Sequence, residues 1–303
     1  MLTDDHKTRK LTAYWDDLVG GDTSQYKEAV LDHLITTYLP DCIETILDIG
    51  CGTSDIAFKH RDRLKASKFV CADYDAAIVE RMKAEHAGQN VEWRVGDIFV
   101  IDQWEDRFDL VFLLDMIHEI YSFYGRVSRD APGEIDHERG SKAVRDALAS
   151  VARIVRPGGG IAITDNVLTA ETGPVTVRMR TPQTRAAVER FLSEYPSRRM
   201  KVERPQDDVI VLAAHDFCIL LTQYNKIKTG QEHRWRVEQL EIHQYLDEEG
   251  YRRLFDELGF DLHCVIGTPK PALDEWRSDF DVLAGLPDLP PKRVTLLATK
   301  RLG

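Results

Sequence analysis

A short apolar run that ends in a glycine turn is the sequence feature that most restricts the fold. Thr45–Gly50 is typical of a buried parallel strand, and Gly52 follows where a helical pattern begins. Short β-rich runs and helical patterns then alternate along the chain as far as Asp165. This alternation predicts an α/β fold with a doubly wound, mostly parallel sheet that carries helices on both faces.

The strand pattern divides the chain into a core and an insertion. Seven runs are predicted to be strands: Thr45–Gly50, Lys68–Asp73, Val91–Val95, Phe108–Asp115, Ile161–Asp165, Phe260–Ile266 and Arg293–Thr299. Between residues 169 and 241 the alternation breaks, and four prolines interrupt the pattern. We predict that residues 169–241 form a mostly helical insertion, a substrate cap over the open edge of the sheet, while residues 44–168 and 242–303 form the core.

Charge limits the classes of function. The formal net charge of −11 disfavours a general nucleic-acid binder, because phosphate contacts need a surplus of Lys and Arg. Residues 178–236 depart from this balance, with twelve Lys/Arg against seven Asp/Glu. This segment predicts either a solvated helical surface or a region near an anionic substrate.

Hydropathy and cysteine usage indicate the compartment. No apolar run reaches about 18 residues, so no membrane-spanning segment is predicted, and the polar N-terminal residues do not resemble a secretory signal. The five cysteines are odd in number and include no CxxC pair, which disfavours both a disulfide framework and a zinc site. We expect a cytoplasmic protein with free thiols.

Acidic residues follow three successive predicted strands. Asp48 precedes the glycine turn, Asp73 ends the second strand, and Asp97 follows the third. The glycine turn also lacks the third glycine of a dinucleotide fingerprint, since Asp55 stands there, and acids near the turn would repel a pyrophosphate. A cationic nucleoside suits such an edge better, with Asp73 accepting hydrogen bonds from ribose hydroxyls and Asp97 from the adenine amino group.

A family resemblance rests on five motifs. LDIGCGTSD, VCADYD, VGDIF, FDLVFLLDMIHEI and RIVRPGGGIAITD resemble, in order and spacing, the successive motifs of class I S-adenosylmethionine-dependent methyltransferases. The resemblance covers about residues 44–167 and implies a seven-stranded sheet with an antiparallel last strand. It implies S-adenosylmethionine as the co-substrate. One departure is Ser54, where many members have a third glycine.

The resemblance also implies which residues contact the cofactor. The N-terminal residues 1–43 would form a helical lid, in which Tyr14 is the candidate contact, although an aromatic residue that packs on the core would look the same. With the residues of the sheet edge, the predicted cofactor contacts are Tyr14, Asp48, Gly50, Cys51, Gly52, Asp73, Tyr74, Asp97, Ile98, Phe99 and Leu114.

His118, just after the fourth strand, is the candidate general base. Its unperturbed pKa lies near neutrality, and Asp165 at the end of the fifth strand could orient it. Small-molecule O-methyltransferases that resemble this chain use a histidine paired with an acid at these positions. A histidine that only packs at a helix start is the alternative interpretation.

A metal is the rival interpretation of the same edge. Asp115, Asp165 and Asn166 resemble the three ligands of cation-dependent catechol-type O-methyltransferases, and such hard oxygen ligands suit Mg²⁺. The glycine motif, however, is of the metal-free style, so Mg²⁺ is not favoured and no metal site is predicted.

Taken together, these features predict a methyltransferase that acts on an oxygen or nitrogen of a small molecule. Six residues of the cap could reach the acceptor: Arg178, Arg180, His215, Tyr224, Asn225 and Trp235. Two alternatives stay open, an RNA or protein methyltransferase that docks through the basic cap, and a non-catalytic S-adenosylmethionine-binding protein. The sequence indicates neither the acceptor nor the oligomeric state.

Overall fold

The computed structural model describes residues 22–40, 42–53, 55–128 and 134–302. Its elements are, in chain order, α1 Asp22–Tyr38, β1 Thr45–Ile49, α2 Asp55–Leu64, β2 Lys68–Asp73, α3 Ala76–Glu85, β3 Glu92–Val95, a 3₁₀ helix Ile98–Gln103, β4 Phe108–Leu114, α4 Ile117–Gly125, α5 His137–Ile154, β5 Val155–Asn166, β6 Pro174–Met179, α6 Pro182–Glu194, β7 Glu203–Gln206, β8 Val209–Ala213, α7 Ala214–Lys228, α8 Glu232–Glu238, α9 Glu248–Glu257, β9 Phe260–Gly267, α10 Lys270–Asp279, β10 Phe280–Ala284 and β11 Arg293–Lys300.

Seven strands form the main sheet, in the order β3-β2-β1-β4-β5-β11-β9. Strands β1 to β5 pair in parallel, and β11 runs antiparallel to both of its neighbours, β5 and β9. The α/β, doubly wound, mostly parallel sheet predicted from the sequence is confirmed, and so is its antiparallel last strand. Parallel strands point their carboxyl ends to one edge, which is where open α/β sheets bind ligands.

Alternating side chains of the strands build two cores, one on each face of the sheet. On β1, Leu47 and Ile49 join the core formed with α4, α5 and α9, whereas Ile46 joins the core formed with α1 and α2. The sequence pattern indicates strands that are apolar on both faces, and helices on both sides of the sheet bury both faces. Within the described ranges, no helix has both the length and the apolar character to cross a membrane.

The insertion differs from its prediction. Residues 169–241 contain three helices, but also β6, β7 and β8, which join β10 in a four-stranded antiparallel sheet of order β10-β6-β8-β7. The expectation of a mostly helical cap is therefore wrong in this respect. The strands are short, and β10 comes from residues beyond the predicted insertion, so the pairing is not visible in the local pattern of residues 169–241.

Asp279 ties the cap together at its buried centre. Its carboxylate accepts hydrogen bonds from Thr184 Oγ1 of α6 at 2.9 Å and from Tyr224 Oη of α7 at 2.6 Å. Lys228 of α7 lies 2.6 Å from the same carboxylate, and Asp279 is only 2% exposed. One acid thus joins α6, α7 and the end of α10.

Replacing Asp279 is expected to destabilise the fold strongly. In Asp279→Ala, two buried hydroxyls and a largely buried ammonium lose their acceptor, so the free energy of unfolding should fall by about 3 kcal/mol. Urea unfolding followed by circular dichroism measures this change. Asp281→Ala is the matched control: Asp281 pairs with Arg180 at the surface, and that substitution should cost less than about 1 kcal/mol. Equal losses in the two variants would contradict this account.

Candidate active site

The glycine turn after β1 is held against the end of β2. The backbone N–H groups of Gly50 and Cys51 both donate to the carbonyl of Ala72, at 2.8 and 3.1 Å. Gly50 has φ +69°, and a Cβ added there would meet Met116 Sδ at 2.7 Å. Only glycine satisfies both demands, the left-handed backbone and the close approach of the segment after β4.

Asp73 lies buried beside this turn, at the end of β2. Its carboxylate accepts hydrogen bonds from the backbone N–H of Gly52 at 3.3 Å and of Asp75 at 3.0 Å. Burial raises the pKa of Asp73 to about 6, and these two hydrogen bonds only partly oppose that effect. The carboxylate is thus poised to gain from ligand hydroxyls that donate to it.

The other predicted cofactor contacts lie along the same edge. Asp97 caps the 3₁₀ helix by accepting from the N–H of Phe99 at 3.0 Å, and it remains exposed. Ile98 is buried behind it, and the Phe99 ring packs at 4.6 Å from the ring of Tyr124. Asp48 is buried on β1, Leu114 ends β4, and Tyr74 is exposed. Tyr14 and Ser54 lie outside the described residues.

Cys51 has a structural environment. Its thiol is buried, and a hydrogen bond with Cys71 together with this burial raises the pKa of Cys51 well above its usual value. A thiol held protonated is a poor nucleophile. Among the described residues, the five cysteines form no disulfide.

The predicted pair of His118 and Asp165 is formed. The Nδ1 atom of His118 lies 2.8 Å from Asp165 Oδ1, and the backbone N–H of His118 donates to Asp165 Oδ2 at 3.0 Å. Burial lowers the pKa of His118, but the charge and hydrogen bond of Asp165 and the charge of Glu241 outweigh it and raise the pKa to about 9. The site therefore holds a positive charge beside these carboxylates at neutral pH.

Two residues that the sequence analysis missed face the other side of His118. The Nε2 atom of His118 lies 3.7 Å from Glu241 Oε2, and Nε2 of His243 lies 3.6 Å from the same oxygen. The two imidazole rings are 4.4 Å apart. Glu241-Ile242-His243 is a segment in which alternate residues share one face, and this Glu-x-His spacing was the available signal.

The oxygen ligands of the rival metal interpretation are engaged elsewhere. The carboxylate oxygens of Asp115 contact Lys27 Nζ of α1 and a guanidinium nitrogen of Arg293 on β11. Asp165 accepts from His118 and from the N–H of Asn166. Because two cations occupy Asp115, the arrangement is an ion-pair bridge between α1, β4 and β11 rather than a magnesium site.

The six cap residues proposed to reach the acceptor have partners within the cap and its neighbours. Tyr224 binds Asp279, and Trp235 Nε1 donates to Glu194 at 2.8 Å. Asn225 donates to Glu275 at 3.1 Å, and His215 lies 3.1 Å from the carbonyl of Thr169. Arg178 and Arg180 form surface pairs with Asp208 and Asp281. The structure places Glu241 and His243 at His118 instead, and Gln223 and Glu238 contact His243.

Comparison with known proteins points to one family. Residues 46–127 match the family model described as a methyltransferase domain. A 152-residue segment is 26% identical to the ubiquinone/menaquinone biosynthesis C-methyltransferase UbiE of Dinoroseobacter shibae, covering 49% of this chain and 51% of that protein. The UbiE protein of Paracoccus denitrificans is 27% identical over 153 residues, with the same coverage. The chain thus spans about half the length of these curated relatives.

One solved structure illustrates the extent of structural similarity. The YcgJ protein of Bacillus subtilis shares 14% sequence identity with a TM-score of 0.47, and the match covers 90% of this chain and 98% of that chain. The matched family segment spans β1 to the start of the loop after α4, which includes the glycine turn, Asp73, Asp97 and His118. The match shows that residues 46–127 have the sequence pattern of a methyltransferase domain.

Proposed function

We propose that this protein is an S-adenosylmethionine-dependent methyltransferase that transfers the methyl group to an oxygen or nitrogen of a small molecule. The observation that carries this proposal is the buried pair of His118 and Asp165, which lies at the same sheet edge as the glycine turn and Asp73. One edge thereby offers both a nucleoside cradle and a group that can handle the proton of an acceptor.

Acidic residues at the carboxyl edge of the main sheet support the proposed binding of S-adenosylmethionine. Asp73 would accept from the ribose hydroxyls and Asp97 from the adenine amino group, with Ile98 and Phe99 beside the ring. Asp48 under the turn would favour the cationic end of the methionine part. No pyrophosphate would be stable beside these carboxylates, which supports a sulfonium nucleoside over a dinucleotide.

His118 is proposed to position the acceptor and to take up its proton. Methyl transfer is an in-line displacement at an already activated carbon, so the enzyme mainly orients the nucleophile and removes its proton. Asp165 holds Nδ1 and leaves Nε2 directed at the cap side. Since the imidazole carries a positive charge at neutral pH, acceptor binding must be coupled to the loss of that proton.

The enclosure of His118 favours a small acceptor over a macromolecule. The histidine is 5% exposed, and Glu241, the last residue of the cap, and His243, just beyond the cap, cover its free face. The cap arginines also argue against docking to RNA, because Arg190 pairs with Glu194 and Glu232, and Arg204 pairs with Glu189. Lys27 and Arg293 at the same edge are compatible with an anionic acceptor.

A carbon acceptor is the second candidate. The two curated relatives are named C-methyltransferases, and a carbon nucleophile also has to lose a proton during the reaction. NMR of the methylated product separates the three possible acceptor atoms. A non-catalytic binding protein would instead bind the cofactor and release no S-adenosylhomocysteine with any acceptor.

The ribose role of Asp73 makes cofactor affinity depend on pH. Because the pKa of Asp73 is about 6, the carboxylate that accepts from the ribose is present above that pH and is lost as the pH falls through it. Affinity for S-adenosylmethionine should therefore be about tenfold weaker at pH 5 than at pH 7.5. Calorimetry across this range measures it.

The Asp73→Asn variant supplies the control for that titration. It keeps the shape but removes both the charge and the titration, so its affinity should be weaker at pH 7.5 by about 1.5–3 kcal/mol and flat with pH. Asp73→Ala should weaken binding at least as much. Wild-type affinity in either variant would rule out a ribose contact.

His118 is expected to matter for turnover and not for cofactor binding. His118→Gln should lower kcat by about 100-fold or more, because it removes the proton acceptor and leaves the cofactor edge intact. Release of S-adenosylhomocysteine is measured with a panel of hydroxyl and amine acceptors, and cofactor affinity by calorimetry. His137→Gln, an exposed histidine on α5 that contacts Tyr121, should keep wild-type kcat. A kcat for His118→Gln equal to that of His137→Gln would remove His118 from the mechanism.

A further inference from the structure

Three potential metal ligands converge between the core and the segment that follows the cap. His118, Glu241 and His243 are all buried, and their ligand atoms lie within 4.8 Å of one another. His118 begins α4 at the carboxyl edge of the sheet, whereas Glu241 and His243 follow α8. The fold, not local sequence, brings these three groups together.

The spacing of the three atoms is that of ligands around a shared ion. Oε2 of Glu241 is 3.7 Å from Nε2 of His118 and 3.6 Å from Nε2 of His243, which exceeds the usual hydrogen-bond length of about 2.7–3.2 Å. Two tetrahedral ligands of one Zn²⁺ ion lie about 3.3 Å apart, because each bond is about 2.0–2.2 Å long. These two separations exceed that value by a few tenths of an ångström.

His118 is held from behind, as metal-ligating histidines are. Its Nδ1 atom faces Asp165 at 2.8 Å, an arrangement that fixes the ring and leaves Nε2 for a metal. Nδ1 of His243 contacts the side-chain amide nitrogen of Gln223, whose Oε1 accepts from Lys226 Nζ at 2.9 Å. Metal binding through Nε2 of His243 requires a proton on Nδ1, so this contact has to rearrange when the ion binds.

The charges around His118 also favour a bound cation. Glu241 is 0% exposed, and Asp165 lies on the opposite side of His118 and is also 0% exposed. A bound divalent cation would replace the proton that gives His118 its positive charge and would balance both carboxylates.

We propose that His118, Glu241 and His243 form a binding site for a divalent transition-metal ion, with an open position for the oxygen of the acceptor. Two histidines and one carboxylate are a ligand set that suits Zn²⁺ and similar ions, and a bound ion lowers the pKa of a coordinated hydroxyl. The part of this inference that concerns the acceptor rests on the proposed function. It selects an oxygen nucleophile over an amine. With the ion bound, His118 would be a metal ligand instead of the proton acceptor, and the proton of the coordinated hydroxyl would pass to solvent as the acceptor binds.

Cobalt binding tests the site without any methyl acceptor. The full chain, free of a histidine tag, is stripped with a chelator and titrated with Co²⁺ alone, followed by its visible absorption and by calorimetry. We expect binding of one equivalent, with bands of nitrogen and oxygen ligation and without the charge-transfer band that a thiolate ligand would produce. His243→Ala and Glu241→Gln should each weaken this binding at least tenfold, and Asp165→Asn about tenfold or more through the orientation of His118.

His215→Ala is the matched control, because it removes a cap histidine that contacts the carbonyl of Thr169 and should leave Co²⁺ binding unchanged. Urea unfolding and affinity for S-adenosylhomocysteine show that each variant is folded, and His243→Gln replaces any variant that is not. Absence of Co²⁺ binding in the wild type, or binding that is equal in wild type and both ligand variants, overturns the proposal. Co²⁺ binding without affinity for S-adenosylhomocysteine would instead leave the metal site standing and defeat the proposed function.

Discussion

The contact between His118 and Asp165 is the interaction on which the rest of the site depends. Both hydrogen bonds of this contact join the start of α4 to the end of β5, so the segment after β4 is fixed relative to the sheet edge. That same segment places Met116 against Gly50, which limits the glycine turn to its observed shape. The segment that carries His118 therefore contacts both the end of β5 and the glycine turn.

The contact between His118 and Asp165 places negative charge in a buried environment. Asp165 and Glu241 lie on opposite sides of the His118 ring, away from water, and such an arrangement requires compensating positive charge. The ion-pair bridge at Asp115 is the reverse case, since Lys27 and Arg293 supply two cations to one acid a few residues away. At the carboxyl edge of the main sheet, a region with two cations near α1 therefore lies beside an acidic region at the end of the cap. In the proposed function, an acceptor between these regions would contact both.

The fold is predicted well from the sequence, because the apolar strands and the glycine turn can each be recognised within a few residues. The cofactor contacts stay predictions. The pairing of His118 with Asp165 could also be predicted from the sequence, since parallel strands bring their carboxyl ends together. The strands of the cap and the positions of Glu241 and His243 beside His118 could not be predicted from the sequence, because they depend on contacts between segments that are distant in sequence.

This division explains why similarity to known proteins identifies one half of the site only. The matched family segment ends at residue 127, so it contains the glycine turn, Asp73 and His118 but neither Glu241 nor His243. The residues that close over His118 come from the cap boundary, where the chain leaves α8 and returns to the core. Under the proposed function, the cofactor contacts lie in the matched segment, whereas Glu241 and His243, which follow α8, lie at the Nε2 side of His118 and would act on the choice of acceptor.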